Sequence, residues 1–152
     1  MLPPESREPY FILDQGLNPQ IARVLAELEY PIISVEDALQ VLPSEAVGDE
    51  TIINHIADYH GFRGVWVTKD MSSKRAHVGL AKRRQVSVVW IQQQTLSTLQ
   101  QHRIVTHIIP RVTQDLLEAS GPIHYLVKFH GQPNRERISV SEEWKGRRER
   151  RR

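Results

Sequence analysis

The residues with chemistry to offer are acids placed at the ends of apolar runs. Asp14 closes Tyr10-Phe11-Ile12-Leu13, Asp70 stands shortly after Gly64-Val65-Trp66-Val67-Thr68, and Asp49 opens a later helical pattern. Clustered carboxylates repel one another unless a cation neutralises them, and an all-oxygen set suits Mg²⁺ or Mn²⁺. Facing phosphate, such a set supports attack of an activated water on a phosphodiester while the cation stabilises the developing charge. Each acid also has a plain structural use. Asp14 could be a solvated turn residue, Asp49 after Gly48 a helix cap, and Asp70 a cap or turn closure before Ser72-Ser73. Glu50 reads as a first-turn charge favoured by the helix dipole.

The elements that must position these acids follow from periodicity. Tyr10–Leu13 reads as a strand. Asn18 and Pro19 are a cap and a first helical residue, so Asp14 is not needed for capping. A helix is expected over 18–29, with Ile21, Val24, Leu25 and Leu28 on one buried face. Tyr30-Pro31 ends it, and Ile32–Val35 is a second short strand. Strand, helix and strand so close together imply a βαβ unit with parallel strands and a right-handed crossover. Residues 36–48 look irregular. A helix over 49–59 buries Ile52, Ile53 and Ile56 and stops at His60-Gly61.

Strand three is 64–68, a helix is expected over 74–84, and Val86–Ile91 is the clearest strand. A longer helical region spans 95–119, with a kink or break expected near Pro110. Residues 123–129 and 135–140 form a β-hairpin around a turn at 130–134. The expected body is a compact α/β domain over 10–144 with at least four parallel strands and the hairpin at its edge. In open sheets of this class, ligands bind beyond the carboxyl ends of the strands. Asp14 and Asp70 then share one rim, and Asp49 joins them if the loop before it returns from strand two.

At 152 residues, 39% of them hydrophobic and 25% charged, the chain has the composition of one globular domain. It has no cysteine, which removes disulfides and thiolate metal sites and fits a cytoplasmic protein. No apolar run approaches a bilayer span, and Met1–Glu5 has no signal-peptide character. Residues 1–9, with three prolines, are expected to be a flexible lead-in. Residues 145–152 carry six bases and one acid, a net of +5 against +2 for the whole chain, so the first 144 residues carry −3. That tail is expected to be disordered, serving nucleic-acid contact, an acidic partner or solubility alone. Around Asp70 the chain is locally basic, with Lys69, Lys74, Arg75, Lys82, Arg83 and Arg84 about His77. On an acidic body, such a segment suits a phosphate track, although a solvated helix face has the same composition. The remaining histidines lack metal-ligand spacing and read as surface or packing residues.

Phe11-Ile12-Leu13-Asp14-Gln15-Gly16-Leu17-Asn18-Pro19, Gly48-Asp49-Glu50 and Val65-Trp66-Val67-Thr68-Lys69-Asp70 together resemble the PIN-like domains of bacterial toxin–antitoxin pairs. The resemblance covers roughly residues 10–91, and the hairpin is similar to the ending of one subgroup. It implies a Rossmann-like parallel sheet flanked by helices and a Mg²⁺- or Mn²⁺-dependent ribonuclease. Asp14, Asp49 and Asp70 match the family's acidic positions as catalytic metal ligands, and Lys69, Lys74 and Arg75 would position RNA phosphate. The implied partners are an RNA substrate, an antitoxin protein and a second copy in a homodimer. The chain departs from the family pattern after Asp70, where Met71-Ser72-Ser73-Lys74 offers no fourth acid. A PIN-like module that binds nucleic acid or a partner without cutting is therefore the alternative expectation. A phosphorylatable receiver-type domain also puts acids at strand ends, but it pairs them after the first strand, where Asp14 is followed by Gln15.

Overall fold

A computed structural model describes residues 8–93, 95–132 and 135–147. The expected lead-in up to residue 7 and the expected tail from residue 148 lie outside the described residues. The order is β1 (Tyr10–Leu13), α1 (Pro19–Glu27), β2 (Ile32–Ser34), α2 (Val35–Leu39), α3 (Asp49–His60), β3 (Gly64–Thr68), α4 (Met71–Arg83), β4 (Ser87–Ile91), α5 (Thr98–Glu118), β5 (Ile123–Gln132) and β6 (Arg135–Lys145).

The strands form one six-stranded sheet in the order β2-β1-β3-β4-β5-β6. Neighbours are parallel from β2 through β5, and β6 runs antiparallel to β5. Alternate residues along the strands feed two separate cores, because side chains in a strand point to opposite faces. Phe11, Leu13, Val65, Val67, Val89 and Ile91 pack with Ile21, Ala22 and Leu25 of α1 and Ile104, Ile108 and Val112 of α5. Ile12, Trp66, Val88 and Trp90 pack on the other face with Ile52, Ile53 and Ile56 of α3 and Ala81 of α4. Burial on both faces is why these strands read as unbroken apolar runs. The fold is α/β, with helices on both sides of a mostly parallel sheet and a C-terminal antiparallel hairpin.

β1 lies between β2 and β3, so the chain winds one way from β1 to β2 and then crosses back to place β3 on the opposite side. This reversal leaves a crevice between the carboxyl ends of β1 and β3, the place where open sheets of this winding bind ligands.

Val24 and Leu28 are exposed, at 47% and 64%, while Ala22 takes their place in the core. Periodicity defines an apolar stripe, but packing on the sheet selects which flank of it is covered. Part of the stretch expected to be irregular is α2, whose cap is Ser34, its Oγ accepting from Asp37 N at 3.1 Å. α4 starts earlier than expected, at Met71. α5 starts later, at a Ser97–Gln100 capping box, and it continues unbroken through Pro110, whose ring sits on the exposed side. The hairpin is longer than expected: Gln132 already pairs with Arg135, and residues 133–134 between them lie outside the described residues. At the start of the expected tail, Lys145 pairs with Ile123, and Gly146 N donates to Pro122 O at 2.8 Å. No helix among the described residues is long and apolar enough to cross a membrane.

Candidate active site at the β1–β3 crevice

Leu13 pairs with Val67, so the next residues of the two strands meet at the rim. Asp14 N donates to Val67 O at 2.9 Å, extending the ladder by one residue. Its side chain is 8% exposed, and its Oδ2 accepts a hydrogen bond from Thr68 Oγ1 at 2.7 Å. The same hydroxyl accepts from Asp70 N at 3.2 Å. One buried threonine therefore links Asp14 to the backbone of Asp70. Asn18 caps α1 by accepting from Gln20 N at 3.0 Å, leaving the Asp14 carboxylate without a capping duty.

Asp49 is the first residue of α3, and the cap position belongs to Gly48, which supplies no side-chain bond. The expected capping role of Asp49 is thus not used. Its Oδ2 lies 3.7 Å from His77 Nε2 of α4. The loop before it is tied to the β1 turn by Gln15. Gln15 Nε2 donates to Glu45 O at 2.6 Å, and Val47 N donates to Gln15 Oε1 at 2.8 Å. This bridge returns the loop to the rim, and the charge of Asp49 acts on Asp14 across the crevice.

Burial pushes the Asp14 carboxyl above the ordinary carboxylate range. The Thr68 hydroxyl and the Gln15 backbone N–H pull in the opposite direction, while the neighbouring negative charge of Asp49 adds to the rise. The Trp66 indole N–H also favours the carboxylate, but weakly, because it is buried without a hydrogen bond of normal geometry. A positive charge in the crevice would relieve Asp14.

Asp70 has a structural use. Its Oδ1 accepts from Ser72 N at 3.0 Å and from Ser72 Oγ at 2.6 Å, which is how a cap satisfies the first turn of α4. Lys69 lies along the β1–α1 turn, its Cε 3.3 Å from where a Cβ on Gly16 would stand. Lys74 points to the hairpin, where its ammonium pairs with Glu143 at 2.5 Å. Lys74 and exposed Arg75 line an open groove of about 750 Å³ with Met71, Ser72, Val78 and Gln92.

No family model, curated protein or solved structure matches the chain. Asp14 and Asp49 are two carboxylates acting on one crevice, an oxygen donor set that fits a hard cation keeping most of its water shell. Among the described residues, no group of three or more His, Cys, Asp or Glu side chains is arranged to hold a metal ion directly.

Sequence reasoning missed three contributors. Thr68 and Gln15 act through position, Thr68 by ending β3 beside Asp14 and Gln15 by following it. His77 sat unassigned among the bases. A further acid, Glu36, lies just beyond β2 with 4% exposure, and its Oε1 is buried without a hydrogen bond. The signal for its place was the Ser34-x-x-Asp37 cap spacing, which marks a helix start directly after the strand.

Proposed function

We propose that the protein is a metal-dependent endoribonuclease of the PIN-like type, the toxin of a toxin–antitoxin pair acting in the cytoplasm. The observation that carries this reading is the Asp14–Thr68–Asp70 linkage at the sheet's reversal, with Asp49 close enough to act on Asp14. Asp14, Asp49 and Asp70 would hold Mg²⁺ or Mn²⁺ with much of its water shell kept, so that not all three carboxylates need touch the ion. The cation would supply charge neutralisation at the scissile phosphodiester and a nucleophile at neutral pH. Thr68 orients the Asp14 carboxylate, and Gln15 holds the loop that presents Asp49. Lys69 at the β1 turn and Arg75 and Lys74 along the groove would position the RNA backbone, which needs cations spaced along its phosphates.

The test is cleavage of mixed RNA by purified protein in Mn²⁺ or Mg²⁺, beside Asp14→Asn and Asp70→Asn. Loss of cleavage in both variants is expected. Absent cleavage, or cleavage equal in the variants, sinks the assignment. For the toxin role, expression should arrest growth, and co-expression of an adjacently encoded antitoxin should restore it.

A second reading, a PIN-like module that binds RNA or a partner without cutting, is favoured by the Ser72 bonds to Asp70. RNA binding that persists with no metal-dependent cleavage, and no heat of Mn²⁺ binding by calorimetry, would select it. Association into a homodimer is read from sedimentation of the full chain.

A further inference from the structure

A second pocket lies between α4 and the β5–β6 hairpin. It encloses about 330 Å³ and is lined by Lys74, Val78, Lys82, His124, Glu143 and Trp144. It shares Lys74 and Val78 with the larger groove, so the two form one track along α4. The Lys82 ammonium sits 5.1 Å from the centre of the half-buried Trp144 ring. Among the described residues Lys82 has no carboxylate partner, whereas Lys74 is neutralised by Glu143. His124 is 1% exposed and stands edge-on to Trp144 at 4.8 Å. Its Nε2 lies 3.0 Å from Val86 O, which makes that nitrogen the donor. Its Nδ1 is then a buried acceptor without a partner. A cation without a carboxylate partner, an aromatic ring and an orphan acceptor around one volume have a common solution: a ligand with an anionic group, a flat face and an N–H donor.

We infer that this pocket is a nucleotide subsite for a single RNA strand running along α4, with Lys82 on a phosphate and the base against Trp144. Basic grooves with aromatic platforms hold single strands in this way, since every base has a face to stack. The inference rests on the RNA reading of the crevice, but its test does not depend on cleavage.

Trp66 and Trp90 are fully buried, so a ligand that quenches tryptophan emission reports on Trp144. The full chain is titrated, in a chelator to stop cleavage, with a labelled oligouridylate while anisotropy and tryptophan emission are followed. Binding with quenching is expected, weakened ~10-fold by Lys82→Gln and by Trp144→Leu. Arg103→Gln on α5, across the sheet, should bind as wild type. If Trp144→Leu fails to fold, Lys82→Gln and the quench carry the test. Binding without quench, both variants within twofold of wild type, tighter binding of duplex RNA, or no RNA binding at all each overturn the subsite. Wild-type protein that binds with full quench supports the subsite even if it cleaves no RNA in Mn²⁺ or Mg²⁺, in which case only the nuclease reading fails.

Discussion

At the scale of the residue, Asp14 is the most informative side chain in the molecule. Its carboxyl is raised by burial first and by Asp49 in addition, so the ionised form is destabilising in the folded state. A carboxyl with a raised folded pKa favours folding below its unfolded value of 3.8, and this advantage is lost as pH rises through the folded pKa. Asp14→Asn keeps an acceptor for Thr68 and removes the buried charge. It should therefore melt roughly 2–4 °C higher than wild type at pH 7, the shift that about 1 kcal/mol gives at this chain length. The gap should close as the pH falls towards 4. Thermal melts across that range check it. Mn²⁺ should raise the wild-type melting temperature and leave Asp14→Asn unchanged, which reads out metal binding without any activity assay.

At the scale of the element, two positions decide whether the rim assembles. Gln15 hooks the 45–47 loop by two hydrogen bonds and so holds the start of α3 at the crevice. Gln15→Ala should cost only about 1 kcal/mol in global stability. Amide exchange should nevertheless accelerate in the loop and the first turn of α3, while α5 stays protected. Equal exchange in the two proteins would contradict the hook. Gly64 starts β3 where α3 comes close: a Cβ there would lie 2.4 Å from Ile56 Cγ2 and 2.7 Å from His60 Cβ. Gly64→Ala forces the helix away from the strand and should destabilise by roughly 1–3 kcal/mol, measured by urea denaturation.

The same elements show what could be read in advance. β1, β3 and α3 stand where apolar runs, capping residues and glycine stops put them, because those signals are local. The flank of α1 that is buried, the short α2 and the unbroken α5 were not readable in this way. Each depends on which surface a neighbouring element presents, and periodicity is silent on that.

At the scale of the whole molecule, the sheet joins two regions of opposite electrostatic character. Acids gather at the β1–β3 crevice, and bases line α4 beside the hairpin. The exposed strand β6 closes the sheet with charges of both signs, Arg135, Glu136, Arg137, Glu142, Glu143 and Lys145, which discourages pairing with another edge. His124 links the hairpin to the body. Burial lowers its pKa to about 4 from 6.5, with the Val86 carbonyl pulling the other way. The unfolded chain therefore binds a proton before the folded one does, and stability falls as pH drops from 6.5 towards 4. His124→Gln should flatten that part of the stability profile relative to wild type. The comparison by chemical denaturation at pH 7 and pH 5 tests this, and an unchanged slope would count against the burial of a neutral imidazole.

The sequence by itself determined the α/β class, the order of most elements and the placing of Asp14 and Asp70 at strand ends. Those follow from chain-local rules: alternation in strands, the helical period, and the geometry of Asn, Pro and Gly at element ends. Tertiary structure alone decided that the sheet reverses between β1 and β3. That reversal puts Thr68 between Asp14 and Asp70 and lets Asp49 act on a carboxylate 35 residues before it. It also gave Lys74 to Glu143, and it closed a pocket around Lys82 and Trp144. These are pairings between residues far apart in the chain or across a turn, set by strand order and packing.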